Sequence, residues 1–119
     1  MPSPPPFPTP TQAHVDEAVR RLVAAFAPEK IVVFGSFARG EARPGSDLDL
    51  LLVLPVVQNR FRAAGRALAA LGGDLPVDVV VVTPEQAADA VWWGVVRRAQ
   101  DEGIVVYDRQ TALENACIV

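Results

Sequence analysis

Four short, β-rich runs divide the chain: KIVVF at 30–34, LDLLLVL at 48–54, VDVVVV at 77–82 and GIVVY at 103–107. Each is bounded by Gly or Pro, which predicts four strands. The segments between and before them recur at helical spacing. Val15, Ala18, Val19, Leu22, Val23 and Phe26 mark a first helix ended by Pro28; Phe61, Ala64, Leu68 and Leu71 mark a second, over 58–71, ended by Gly72-Gly73. Thr9-Pro10-Thr11-Gln12 reads as the first helix's capping box with Pro at the first helical position. Thr83-Pro84-Glu85-Gln86 repeats that signature before a helix reaching about residue 100. Helix and strand alternate, so the expected fold is α/β (α+β): a small mixed sheet of about four strands with helices packed on it. The 48–54 run is apolar at alternate and intervening positions alike, as in a strand covered on both faces.

At 119 residues, half of them hydrophobic, the chain supports one compact domain. That domain is expected over 11–108. Residues 1–10, with six prolines, are expected to form an extended, poorly ordered leader, and 109–119 a tail that adds a helical turn or docks on a partner. Eleven Lys plus Arg against fourteen Asp plus Glu leave no broad positive field, so direct nucleic-acid binding is not expected. Ten of the eleven cations are Arg, a bias that suits bidentate phosphate or carboxylate contacts but also follows from a GC-rich genome. The single cysteine, Cys117, excludes a disulfide framework; no apolar run is long enough to span a membrane and no signal-peptide pattern opens the chain, so a cytoplasmic location is expected.

Against this apolar background the acids in the strand runs stand out. Asp47 and Asp49 lie two apart at the front of the leucine run, a spacing that puts both carboxylates on one face of a strand and Leu48 and Leu50 on the other; Asp78 interrupts the otherwise apolar VDVVVV. Taken singly, each has a structural explanation: Asp47 as a turn residue after Gly45-Ser46, Asp49 as an edge acid, Asp78 as the partner of a buried Arg. Together they need three separate explanations. Two carboxylates about 4 Å apart at an effective dielectric near 20 repel by roughly 4 kcal/mol, and one or two Mg²⁺ ions held by these hard oxygens would turn that repulsion into coordination. Ahead of them, Gly35-Ser36 ends the first strand run, where backbone N–H groups and a hydroxyl can hold phosphate oxygens.

The combined pattern in GSFARGEARPGSDLDLLLV is Gly-Ser, ten residues, then Asp-x-Asp, and its chance occurrence in such a chain is roughly one in a thousand. With Asp78 on a later strand and the terminal EGIVVYD, it resembles the minimal nucleotidyltransferase family, the small members of the DNA polymerase β superfamily, over residues 31–107. The resemblance implies that fold, with Gly35 and Ser36 binding a nucleoside triphosphate, Asp47 and Asp49 holding two Mg²⁺ ions, and Asp78 completing the catalytic and metal site and activating the acceptor hydroxyl. The reaction implied is in-line attack on the α-phosphorus with pyrophosphate leaving. Arg39, in the intervening loop, is the candidate for holding the pyrophosphate; Arg43 either shares that role or pairs with Glu41 or Asp47.

Nearly all of the chain's residues are spent on the expected catalytic sheet, so the acceptor is expected to be bound by a partner or to be part of one. The resemblance implies an antitoxin that transfers AMP from ATP to a tyrosine hydroxyl of a HEPN-type toxin, so that partner is the leading expectation, with a homo- or hetero-oligomer left open. The alternatives are an antitoxin that neutralises by occlusion alone, and nucleotidyl transfer to a small acceptor such as an aminoglycoside. His14 suits a solvent-facing or capping position; Arg60, Arg62 and Arg66 read as a solvated helix face. Trp92 and Trp93, adjacent in a helix, point about 100° apart, one into the core and one available to an interface.

Overall fold

The computed structural model describes residues 8–73, 76–88 and 94–112. The chain runs α1 (Gln12–Phe26), β1 (Lys30–Phe34), α2 (Gly35–Ala38), β2 (Leu48–Val53), α3 (Arg60–Leu71), β3 (Val77–Val82), α4 (Pro84–Ala88), α5 (Gly94–Glu102) and β4 (Ile104–Asp108). The strands form one mixed sheet in the order β3-β2-β1-β4. β1 is antiparallel to both β2 and β4, while β2 and β3, joined through α3, are parallel. The small mixed sheet expected from the alternating runs is therefore present.

The pleat sorts the strand side chains into two cores. Ile31 and Val33 of β1, Leu48, Leu50 and Leu52 of β2, and Val79 and Val81 of β3 bury against Val15, Ala18 and Leu22 of α1 and Ala67 and Leu71 of α3. The opposite face carries Val32, Phe34, Leu51, Val53 and Val82, packed on Val96 and Ala99 of α5. Both faces are covered, and this is why the β2 run is apolar on both faces apart from Asp49. Arg21 of α1 donates to the Leu71 carbonyl at 2.8 Å, tying α1 to the end of α3.

Three local readings change. The α1 cap is Thr11 rather than Thr9: its Oγ1 accepts from the His14 N–H, and His14 Nδ1 accepts from the Thr11 N–H at 2.9 Å, so His14 serves the cap. Either threonine can supply the cap oxygen, and the turn that starts at Gln12 is the one realised, with Pro10 buried ahead of it. The end of the leader is thus packed, and the Pro8 carbonyl accepts from the Gly45 N–H at 3.4 Å. On α3, Phe61 is 84% exposed and Leu68 43%. Ala63, Ala64, Ala67 and Leu71 face the core instead, because small side chains let the helix lie close on the sheet. Of the arginines on that helix, Arg66 stacks over the Phe26 ring at 5.2 Å.

The Thr83 cap forms as expected, with reciprocal bonds to Gln86. The helix expected to follow it is described as α4 and α5, with 89–93 between them outside the described residues; Trp92, Trp93 and Cys117 also lie outside them. Residues 109–112 are helical, with the Asp108 carboxylate accepting from the Gln110 N–H at 3.0 Å. Among the described residues no helix is long and apolar enough to cross a membrane.

Candidate active site

Asp49 lies on the α5 side of the sheet, on the same face of β2 as Leu51 and Val53. Its lateral partners are Phe34 on β1 and Asp78 on β3. The parallel register sets the two acids side by side, with strands about 4.8 Å apart. Asp49 is half-buried, whereas Asp78, near the start of an edge strand, is exposed. Asp47 is also exposed and sits one residue ahead of β2, after a turn over Arg43–Ser46 in which the Ser46 N–H donates to the Arg43 carbonyl at 2.9 Å and the Ser46 hydroxyl accepts from the Arg43 N–H at 2.8 Å. With Asp47 and Asp78 both exposed, the cost of burial falls mainly on Asp49.

The electrostatics record this crowding. Burial raises the Asp49 carboxyl above its ordinary value, the charges of Asp78 and then Asp47 raise it further, and Arg98 and Arg39 oppose the shift. A divalent cation beside Asp49 would relieve both causes, and three carboxylates are the donor chemistry that Mg²⁺ takes. Among the described residues, however, no three acidic, His or Cys side chains converge tightly enough to ligate one ion together. Asp47 and Asp78 both lie on the surface, with Asp49 the half-buried member of the group.

Gly35 follows Phe34 into α2 with φ +75°, and a Cβ built there would collide with Asp49 Oδ2. The absence of a Cβ at Gly35 thus admits the carboxylate of the neighbouring strand. Ser36 is partly buried in the first turn of α2, which Phe37 and Ala38 fasten to the larger core. Arg39 ends α2 and points its guanidinium at two acids: Nε to Glu41 at 3.1 Å and Nη1 to both oxygens of Glu102 at 3.1 Å. Glu41, one of the partners open to Arg43, is thus held by Arg39.

Glu102 was not singled out from the sequence. It ends α5, 67 residues from Gly35, and it accepts from the Gly35 N–H at 3.2 Å while Arg98 stands 3.6 Å away. Bonding to Arg39 chiefly, with the Gly35 N–H adding to it, holds its carboxyl below the usual glutamate range. An acid at a helix end carries no local sign of such a contact. Concavity is no better guide: an open cleft of about 650 Å³, lined by Glu29, Lys30, Val53, Asp108 and Arg109 among others, lies at the opposite end of β1 and β2. The Asp49 end is the candidate site on chemical grounds, since among the described residues the cleft gathers no comparable group of acids beside a Gly-Ser turn.

Comparison with known proteins bears on the family and the fold. The family profile described as Nucleotidyltransferase domain matches residues 15–106. Among solved structures the chain is similar to a putative nucleotidyltransferase from Sulfolobus solfataricus, at 24% identity and a TM-score of 0.57, covering 82% of this chain and 80% of that one. It is also similar to a toxin–antitoxin structure with AMP-PNP, at 21% identity and a TM-score of 0.57, covering 83% of this chain and 77% of that one. A third is the MntA-HepT toxin–antitoxin structure, at 19% identity and a TM-score of 0.55, covering 87% and 78%. No curated protein matches. These likenesses speak to the fold; the profile, spanning most of the chain, establishes that the protein belongs to the nucleotidyltransferase domain family.

Proposed function

We propose that the protein is a Mg²⁺-dependent nucleotidyltransferase antitoxin that transfers AMP from ATP to a tyrosine hydroxyl of a HEPN-type toxin. The observation that carries the reaction is the lateral pairing of Asp49 with Asp78, on the sheet face and at the level where Gly35 begins α2. Family membership supports the reaction class, and the two toxin–antitoxin neighbours, one with AMP-PNP, motivate the partner and the nucleotide.

In this reading Gly35, Ser36 and Arg39 hold the triphosphate, and Asp47, Asp49 and Asp78 are the residues that would hold Mg²⁺. The metal, when bound, supplies positive charge to the phosphates and to the leaving pyrophosphate. Asp78, at the open edge of the sheet where a partner's side chain has access, takes the proton from the acceptor hydroxyl as the new oxygen–phosphorus bond forms and the bond to pyrophosphate breaks. The test is transfer of label from α-labelled ATP to the toxin. Asp49→Asn should abolish transfer with the fold intact by circular dichroism; retained transfer removes the assignment.

A second reading, neutralisation by occlusion alone, is favoured by one observation: Glu102 occupies both the Gly35 N–H and Arg39. Under it, the Asp49→Asn protein should still neutralise its partner in cells.

A further inference from the structure

The residues assigned to phosphate already hold an anion supplied by the chain. Glu102 Oε1 accepts from the Gly35 N–H at 3.2 Å, and both carboxylate oxygens lie 3.1 Å from Arg39 Nη1. A phosphate oxygen would use the same donors in the same way, since carboxylate and phosphate compete for backbone N–H groups and for the arginine fork. Both cannot be satisfied together: two anions sharing one N–H and one guanidinium would repel at contact distance.

We propose that Glu102 is an internal competitor for the phosphate seat, and that a triphosphate binds by displacing its carboxylate from Gly35 and Arg39. This rests on the nucleotidyltransferase reading of the site. The architecture makes displacement a side-chain movement and not a shift of the helix. Gly103, the next residue, has no room for a Cβ, which would collide with the Ala99 carbonyl and the Val32 side chain, so the end of α5 is seated hard against β1. The Glu102 side chain is itself 23% exposed, and Arg98, one turn earlier on α5 at 3.6 Å, is the cation to which a displaced carboxylate can turn. Such a gate would keep Arg39 ordered and set a threshold that weakly binding anions do not cross. A carboxylate that merely braced Arg39 would instead favour phosphate binding.

The two roles predict opposite signs. Calorimetric titration of the full-length protein with tripolyphosphate, and separately with ATP and Mg²⁺, should give about tenfold tighter binding for Glu102→Gln than for wild type, the size expected for losing one charge-assisted competitor. Glu102→Ala should move the same way, and thermal melts report whether each variant folds. Equal or weaker binding by the folded variants overturns the proposal, as does loss of the folded transition in both, which would make Glu102 a structural strut. Tighter tripolyphosphate binding with no nucleotidyl transfer by either protein would leave the gate standing and overturn the reaction. Transfer by both proteins at equal affinity would do the reverse.

Discussion

Gly35 meets two demands that no other residue type meets at once, a φ of +75° and the absence of a Cβ where Asp49 Oδ2 lies. Gly35→Ala should therefore cost about 2–4 kcal/mol in urea unfolding, part from the left-handed backbone and part from the collision. Adding Asp49→Ala should restore the collision part, so the double-mutant cycle should show coupling; strict additivity would refute the contact. Asp49 carries a further consequence. Its folded-state carboxyl is raised above the unfolded value, so the native protein holds this proton more tightly than the unfolded chain, and ionised Asp49 costs stability at neutral pH. In metal-free buffer Asp49→Asn should be more stable than wild type at pH 7, by about 1 kcal/mol or less after solvent screening. That difference should shrink as pH falls through the raised folded value and vanish below the unfolded one. Added Mg²⁺ should reverse the order by stabilising wild type alone, and a variant that melts lower than wild type in metal-free buffer at pH 7 would contradict the assignment.

At the scale of elements, the helices differ in how clearly their faces were written. On α1, the apolar positions form one stripe, and Val15, Ala18 and Leu22 are indeed its buried centre. On α3 two stripes share Ala64 and Leu71: one adds Phe61 and Leu68, the other Ala63 and Ala67, and periodicity fits both. Packing selects the alanine stripe, leaving Phe61 84% exposed. Accordingly, Phe61→Ser should change stability by less than about 0.5 kcal/mol, whereas Leu22→Ala, in the same core, should cost about 2–5 kcal/mol. A large loss on changing Phe61, in thermal or urea unfolding of the isolated protein, would mean that the buried stripe is misassigned.

For the molecule as a whole, local pattern was enough to place the strands, their covered faces and the acid-bearing positions, because alternation and helical spacing are imposed by the backbone and show in any short window. It was also enough to mark Gly35, Asp49 and Asp78 as a group. It was not enough to rank the acids: Asp49 is the half-buried one because β2 is an interior strand, and Asp47 and Asp78 are exposed because one precedes the strand and the other lies on an edge. Strand order arises from pairings between residues far apart in sequence, so no window holds it. Glu102 follows the same rule. What the chain declares by itself is where the strands lie, which strand faces are covered and where acids interrupt them. Tertiary structure alone decided that a glutamate 67 residues away would sit on the Gly35 N–H and Arg39, because that contact exists only once α5 is seated on the sheet.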